Sequence, residues 1–119
     1  MRSYNELIEK INPYWGPDWI YTDNGYIVWQ MSTGGNVEIL FIEVRNPGEG
    51  YATELVRRMC EKVSPYNSVF VFRLASNETA GYFYRKLGFE ETLIRGLYTE
   101  DSILGVVNYR TLCQNLSTK

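Results

Sequence analysis

Apolar residues recur along the chain with two different periods, and the changes from one period to the other predict its secondary structure. Four apolar residues near the N-terminus share one helical face: Tyr4, Leu7, Ile8 and Ile11. Ser3 and Glu6 form a capping-box pattern at the start of this helix. The segments WIYT and YIVWQMS flank Asp23-Asn24-Gly25, which predicts a β-hairpin. A second turn at 33–36 precedes VEILFIEV, so we expect a helix followed by an antiparallel meander of three strands.

The second half of the chain is predicted to alternate helices with strands. After the segment PGEGY, six residues recur at helical spacing: Ala52, Leu55, Val56, Met59, Cys60 and Val63. The nearly continuous apolar run SVFVFRL then predicts a strand covered on both faces. The strand–helix–strand unit of residues 37–74 implies a right-handed crossover and two parallel strands. Ser76 or Asn77 caps a further helix that Gly88 terminates, and TLIRGLY and ILGVVNYRTL are predicted to be closing strands.

These elements define the fold class as α/β (α+β). We expect one domain over residues 1–119, with a mixed, mostly antiparallel twisted sheet and a central pair of parallel strands flanked by helices.

Composition and charge limit the kinds of function. The chain has 119 residues, 45% of them hydrophobic, which suits one soluble domain. A net charge of −2 provides no basic excess, so we expect no nucleic-acid partner. The absence of histidine excludes Ser–His and Cys–His triads and His-ligated metal sites, and we expect no metal. Two cysteines, no signal-peptide pattern and no long apolar run favour a reduced, cytoplasmic protein outside the membrane.

The stretch PGEGYATEL, residues 47–55, places two glycines and a proline where Ser or Asp would cap the following helix better. Free backbone N–H groups at the positive end of a helix dipole bind phosphate readily. Glycine also simply allows the chain to turn into a helix. The residues alone therefore predict either a phosphate-binding turn or a helix entry.

Two stretches together resemble the GCN5-related N-acetyltransferases, the GNAT superfamily. NETAGYFYRKLGFEE, residues 77–91, is similar to that family's acetyl-CoA-binding helix, and PGEGYATEL to its pyrophosphate loop. Both occur in the family's order, within residues 37–91. The resemblance implies a short member with a GNAT-like sheet, acetyl-CoA as cosubstrate and an amine as acceptor. The region before the sheet has room for about one helix, less than the family norm, and in the family this region shapes the acceptor site.

The resemblance also implies which residues hold the cofactor. Acetyl-CoA would lie between the two parallel strands, with its pantetheine arm paired to the backbone of Ile42 and Val44. The pyrophosphate would be bound by the N–H groups of six consecutive residues: Gly48, Glu49, Gly50, Tyr51, Ala52 and Thr53. Asn77 would either cap its helix or hydrogen-bond the cofactor arm. Pro47 stands where the family usually has Arg or Gln, although Arg45-x-x-Gly48-x-Gly50 fits the same pattern in another register.

The catalytic residues predicted from this resemblance are Tyr84 and Glu43. Tyrosine, with a pKa of about 10, stays protonated at neutral pH and can protonate the departing thiolate, unless Tyr84 is only a core residue. Glu43 lies in an otherwise apolar strand and is the best candidate for the base, although an edge or surface position would also explain it. Glu38, Asp23 or a water chain are alternatives.

The sequence therefore supports two hypotheses of function. The first is an N-acetyltransferase that moves an acetyl group from acetyl-CoA to an amine by direct attack. The second is a degenerate module of the same fold that binds CoA or a protein without turnover. Tyr26 and Trp29 either line the acceptor cleft or pack in the core. The sequence leaves open which amine is the acceptor and whether the chain forms a homodimer.

Overall fold

Four α-helices, six strands and one short 3₁₀ helix (Thr33–Gly35) occur in the described part of the chain, residues 1–14, 16–63, 67–95 and 101–117 of a computed structural model. In chain order the α-helices and strands are α1 (Tyr4–Ile11), β1 (Asp18–Tyr21), β2 (Gly25–Met31), β3 (Val37–Val44), α2 (Tyr51–Lys62), β4 (Ser68–Leu74), α3 (Glu78–Lys86), β5 (Glu90–Ile94), β6 (Ser102–Asn108) and α4 (Tyr109–Ser117). The strand order is β1-β2-β3-β4-β6-β5, mostly antiparallel with one parallel pair. The predicted mixed α/β fold class is confirmed.

The chain divides into two compact units. Unit 1 comprises Met1–Met31 and Ile39–Ser64, and unit 2 comprises Ser32–Glu38 and Pro65–Lys119.

Unit 1 begins with the predicted capping box and hairpin. The Glu6 N–H donates to Ser3 Oγ and the Ser3 N–H donates to Glu6 Oε1, both at 3.2 Å. In the hairpin, the Thr22 N–H donates to the Gly25 carbonyl at 2.8 Å, and β1 pairs with β2 in antiparallel register. Both elements therefore follow from local signals in the sequence.

The core of unit 1 forms on both faces of β2. Four buried residues form one cluster on α1 and β2: Leu7, Ile11, Tyr26 and Val28. Ile27 and Trp29 lie on the opposite face of the strand and are also buried. Helix α2 packs against β2 and buries Leu55, Val56, Met59 and Cys60. Four of the six apolar positions that predicted α2 therefore form its buried face, whereas Ala52 is half-buried and Val63 lies at the C-cap.

In unit 2, β4 and β5 both pair antiparallel with β6. Strand β4 alternates: Val69, Val71 and Arg73 are buried, whereas Phe72 and Leu74 are 46% and 50% exposed. The prediction that this strand is covered on both faces is therefore wrong. Its continuous run of apolar letters hides a strand with one buried and one exposed face.

The C-terminal segment differs from the prediction. Strand β6 ends at Asn108, and the residues YRTL, expected to continue it, begin helix α4. The Arg110 N–H donates to Asn108 Oδ1 at 2.9 Å, and the buried Leu112 and Leu116 are spaced as on one helical face. Of the predicted strand TLIRGLY, residues 92–94 belong to β5, and residues 96–98 lie outside the described residues.

Candidate functional site

The glycine-rich turn leads from β3 into α2, and its last residue is the N-cap of that helix. Gly48 and Gly50 have left-handed φ angles of 89° and 83°. A Cβ added at either position would meet no heavy atom of the described chain within 4 Å. Packing therefore does not require these glycines. They supply a backbone bend and open space in front of the first N–H groups of α2, at the positive end of its dipole.

The other residues of this loop are largely at the surface. Pro47 and Glu49 are exposed, whereas Tyr51, Ala52 and Thr53 are half-buried in the first turn of α2. The first helical hydrogen bond runs from the Glu54 N–H to the Gly50 carbonyl at 3.1 Å. The N–H groups of residues 51–53, like those of any first helical turn, have no partner within the helix.

Arg45, the alternative start of the phosphate motif, is held by the β1–β2 turn. Its backbone N–H donates to the Asn24 carbonyl at 2.8 Å, and its Nε donates to the Asp23 carbonyl at 3.1 Å. The guanidinium therefore interacts with the hairpin, next to the end of β3.

Gly25 allows the same hairpin to approach β3 closely. A Cβ on Gly25 would lie 2.6 Å from the Glu43 carbonyl oxygen and 3.1 Å from Val44 Cα. This glycine, which the sequence identified only as a turn residue, therefore also maintains the close contact of β2 with β3. Ile42 and Val44 are half-buried at this end of β3.

Glu43 accepts hydrogen bonds from two groups of unit 1. The Arg2 N–H and the Tyr26 hydroxyl both donate to its Oε1, at 3.0 and 2.8 Å. The Arg2 carbonyl in turn accepts from the Tyr21 hydroxyl at 2.9 Å. Burial by itself would raise the pKa of Glu43, but the hydrogen bonds from Arg2 and Tyr26 outweigh it and hold this pKa below its ordinary value. Glu43 is thus a paired carboxylate in its charged form.

Tyr84 lies on the buried face of α3 in unit 2. It is 4% exposed, and its ring meets those of Phe83 and Phe89 edge-on, each at a centroid distance of 5.2 Å. Gly88, with a φ of 96°, ends the helix as predicted and is followed by the buried Phe89. Burial raises the pKa of Tyr84 above its ordinary value, so the phenol stays protonated.

Asn77 is the N-cap of α3. Its Oδ1 accepts from the Ala80 N–H at 3.2 Å. Capping uses the amide oxygen alone, and an asparagine side chain also carries two N–H donors on Nδ2. The two predicted uses of Asn77 are therefore compatible in chemical terms.

The sequence did not indicate a charged cluster beneath α3. Arg73 of β4, with a side chain 4% exposed, donates from Nε and Nη2 to the two oxygens of Glu91, at 2.7 and 3.0 Å. Arg85 also donates to Glu91 Oε1, at 2.7 Å. The hydrogen bond from Arg73 lowers the pKa of Glu91 most, and Arg85 lowers it further. The available signal was a lone arginine in the apolar run SVFVFRL, which required a partner if buried.

The remaining candidates lie as follows. Tyr26 and Trp29 are each 1% exposed, in agreement with core packing, and Trp29 Nε1 is the one buried side-chain polar atom without a partner in the described part of the chain. Glu38 is half-buried on β3, and Asp23 is exposed in the hairpin turn.

The predicted site residues fall in both units. Unit 1 contains the backbone positions of β3, the glycine-rich turn and the paired carboxylate Glu43, and unit 2 contains Asn77 and Tyr84. Within residues 1–14, 16–63, 67–95 and 101–117, no cluster of three or more His, Cys, Asp or Glu residues could hold a metal ion. No helix in this part of the chain is both long and apolar enough to span a membrane.

Comparison with known families assigns the class of protein. The family model described as "Acetyltransferase (GNAT) domain" matches residues 18–111. The chain therefore belongs to the GNAT acetyltransferase family, as its two motifs predicted. A comparison with curated protein sequences found no match.

Several solved structures share the fold. The ribosomal-protein-S18-alanine N-acetyltransferase from Escherichia coli is 19% identical with a TM-score of 0.69, over 87% of this chain and 76% of that chain. A GNAT family acetyltransferase from Elizabethkingia anophelis, solved with acetyl-CoA bound, is 20% identical with a TM-score of 0.66, over 87% and 82%. The spermidine/spermine N-acetyltransferase from Vibrio cholerae is 16% identical with a TM-score of 0.69, over 94% and 75%.

Proposed function

We propose that this protein transfers the acetyl group of acetyl-CoA to the nitrogen of an amine by direct attack. The observation that carries the proposal is the glycine-rich turn, where Gly48 and Gly50 leave open space beside the first amides of α2. Phosphate oxygens fit such a place because several N–H groups and the helix dipole act on the same anion. The Elizabethkingia structure contains acetyl-CoA in the same fold, which supports this choice of cosubstrate.

In this proposal the cofactor is held mainly by backbone groups. The amides of six consecutive residues bind the pyrophosphate: Gly48, Glu49, Gly50, Tyr51, Ala52 and Thr53. The backbone of Ile42 and Val44 pairs with the pantetheine arm as a neighbouring strand would. Asn77 donates from Nδ2 to the same arm while its Oδ1 caps α3.

Tyr84 is the proposed general acid. When the amine attacks the thioester carbon, the C–S bond breaks and the leaving thiolate takes a proton. A buried phenol with a raised pKa is always protonated at neutral pH, so it is in the form that can donate. The same raised pKa makes Tyr84 a weak acid, so its contribution to the rate is expected to be moderate for a general acid.

Glu43 is the proposed base, and its surroundings favour a particular class of acceptor. Both of its hydrogen bonds fall on Oε1, so Oε2 is the oxygen through which it would accept a proton. Because its pKa is lowered, Glu43 is a weak base. A peptide α-amine, with a pKa of about 8, needs much less assistance than a lysine amine at about 10.4. We therefore propose an α-amine as the acceptor, in the cytoplasm, where the sequence predicts the protein to be.

Acetyl-CoA binding and acetyl transfer test this proposal separately. Acetyl-CoA at 100 times its Kd should stabilise the fold by about 2.7 kcal/mol, which raises the Tm by about 10 °C. Mass spectrometry of a panel of peptides with free N-termini, lysine-containing peptides with blocked N-termini, and spermidine should detect acetylation of the first group. An unchanged Tm at millimolar acetyl-CoA would refute the proposal. Binding without transfer to any amine would instead favour a non-catalytic module.

A further inference from the structure

Arg73 is a buried cation whose guanidinium binds more than its carboxylate partner. Nε and Nη2 pair with Glu91, as described, while Nη1 faces the turn between β4 and α3. This Nη1 donates to the carbonyls of Leu74, Ala75 and Asn77, at 3.1, 3.3 and 3.1 Å. One side chain therefore joins β4, the turn and the carboxylate of β5.

Backbone hydrogen bonds also hold the turn. Its backbone is held by hydrogen bonds from the Ala75 N–H to the Asp101 carbonyl at 2.9 Å and from the Asn77 N–H to the Leu74 carbonyl at 3.0 Å. Residues 76–79 are exposed at this end of α3. The guanidinium is thus a buried support of the segment that carries Asn77, and Glu78 of this segment also lies 4.0 Å from Arg73 Nη1 and 3.7 Å from Arg85 Nη2.

Gly81 on α3 makes room for this guanidinium. A Cβ at position 81 would lie 2.6 Å from Arg73 Nη2, 2.7 Å from its Cζ and 2.8 Å from Arg85 Nη1. The Arg73 end cannot simply move away, because five hydrogen bonds hold it. A glycine inside a helix lowers helix stability, so its presence here is explained by the side chain beneath it.

We propose that Arg73 is a positioning residue for the cosubstrate: it fixes the β4–α3 turn so that Asn77 and the first amides of α3 are ordered before acetyl-CoA binds. The inference rests on the proposed function, in which Asn77 binds the pantetheine arm. A turn that is already ordered does not lose conformational freedom on binding, so affinity rises. Lysine cannot replace arginine here, because one ammonium cannot span both carboxylate oxygens and three carbonyls.

The test compares Arg73→Lys with Arg85→Gln. Arg85 shares both Glu91 and Glu78 with Arg73 and is about half exposed, but it makes none of the turn hydrogen bonds described for Arg73. We expect Arg73→Lys to raise the KM and Kd for acetyl-CoA at least tenfold while kcat at saturation stays within about threefold. Arg85→Gln should change each within about twofold. In the protein without ligand, amide hydrogen exchange over residues 74–81 should accelerate at least tenfold in Arg73→Lys only.

Equal effects of the two substitutions, or an unchanged acetyl-CoA affinity in Arg73→Lys, would overturn the inference. If Arg73→Lys does not fold, Gly81→Ala replaces it, since alanine favours the helix while its methyl group would collide with the guanidinium groups of Arg73 and Arg85. Weaker acetyl-CoA binding by folded Gly81→Ala supports the inference, and unchanged binding overturns it. A wild-type protein that does not bind acetyl-CoA refutes the proposed function instead. The hydrogen-exchange comparison then decides alone whether Arg73 fixes the turn.

Discussion

Three glycines of unit 1 share a left-handed backbone and empty surroundings, which permits a set of matched alanine substitutions. Gly48 and Gly50 belong to the glycine-rich turn, whereas Gly16 lies in the loop between α1 and β1. Their φ angles are 89°, 83° and 63°, and a Cβ at any of them would meet no heavy atom within 4 Å among the residues that the structure describes, sequence neighbours aside. Alanine at each position is therefore strained by the backbone alone, and only the two substitutions in the turn place a methyl group where phosphate is proposed to bind.

The expected loss of stability is similar for all three variants. Holding an L-residue in the left-handed region costs about 1–2 kcal/mol. For a chain of this size 1 kcal/mol corresponds to about 4 °C, so each variant should melt about 4–8 °C below the wild type without ligand. Circular dichroism at 25 °C should show the same folded spectrum for all of them.

The response to acetyl-CoA separates the variants. At 100 times the wild-type Kd, ligand should raise the Tm of the wild type and of Gly16→Ala by about 10 °C. A tenfold weaker Kd reduces the stabilisation from about 2.7 to about 1.4 kcal/mol, and a hundredfold weaker Kd reduces it to about 0.4 kcal/mol. Gly50→Ala and Gly48→Ala should therefore gain only about 2–6 °C in a thermal melt with the ligand concentration fixed.

The reasoning is refuted if the two turn variants gain as much as Gly16→Ala. The glycine-rich turn would then be only an entry to α2, the alternative that the residues alone left open. If Gly16→Ala also loses most of the stabilisation by acetyl-CoA, ligand binding depends on general stability. The turn variants would then give no evidence that phosphate binds at the turn.

Three further outcomes are expected. In steady-state kinetics, Tyr84→Phe should lower kcat by about 10- to 1,000-fold and leave the KM for acetyl-CoA unchanged, because the proton is needed only in the transition state. An unchanged kcat would exclude Tyr84 as the general acid. The rate of acetyl transfer should rise as the pH passes the pKa of the acceptor amine and should then stay constant to about pH 10, because burial raises the pKa of Tyr84. A decrease in rate below pH 10 would contradict this role of Tyr84. Glu91 has a lowered pKa in the folded protein, so its stabilisation is present above about pH 4.3 and is lost as the pH falls through the folded value. Between pH 7 and pH 3.5, the free energy of unfolding measured with urea should therefore decrease less for Glu91→Gln than for the wild type.

The elements that the sequence predicted correctly are those with local signals. The capping box at Ser3, the hairpin at Asn24-Gly25 and the left-handed Gly88 each need only residues within a few positions. The glycine-rich turn is local in the same sense, and the family comparison agrees with the two motifs that include it. Backbone geometry that is set by neighbours in sequence can be inferred from one chain.

The errors concern features that depend on residues distant in sequence. Whether Phe72 and Leu74 are buried depends on which residues cover that face of β4. The pattern of apolar residues within the strand does not show whether the face is covered. The ion pair of Arg73 with Glu91 joins residues 18 positions apart. Helix α4 is different, because Asn108 followed by Leu112 and Leu116 was a readable helix signal that the preceding β-branched run obscured.

The glycines show why a motif alone leaves its cause open. Gly25 is required by the approach of a neighbouring strand, Gly81 by a guanidinium beneath a helix, and Gly48 and Gly50 by neither. A Cβ at the first two positions would collide with the protein itself, so their substitution reports on folding. A Cβ at the last two positions would meet no other residue of the described chain. Apart from the cost of the left-handed backbone, a substitution at Gly48 or Gly50 therefore reports on a ligand bound beside the turn. The phosphate-binding proposal therefore depends on the two glycines at which an added Cβ would meet no other part of the described chain.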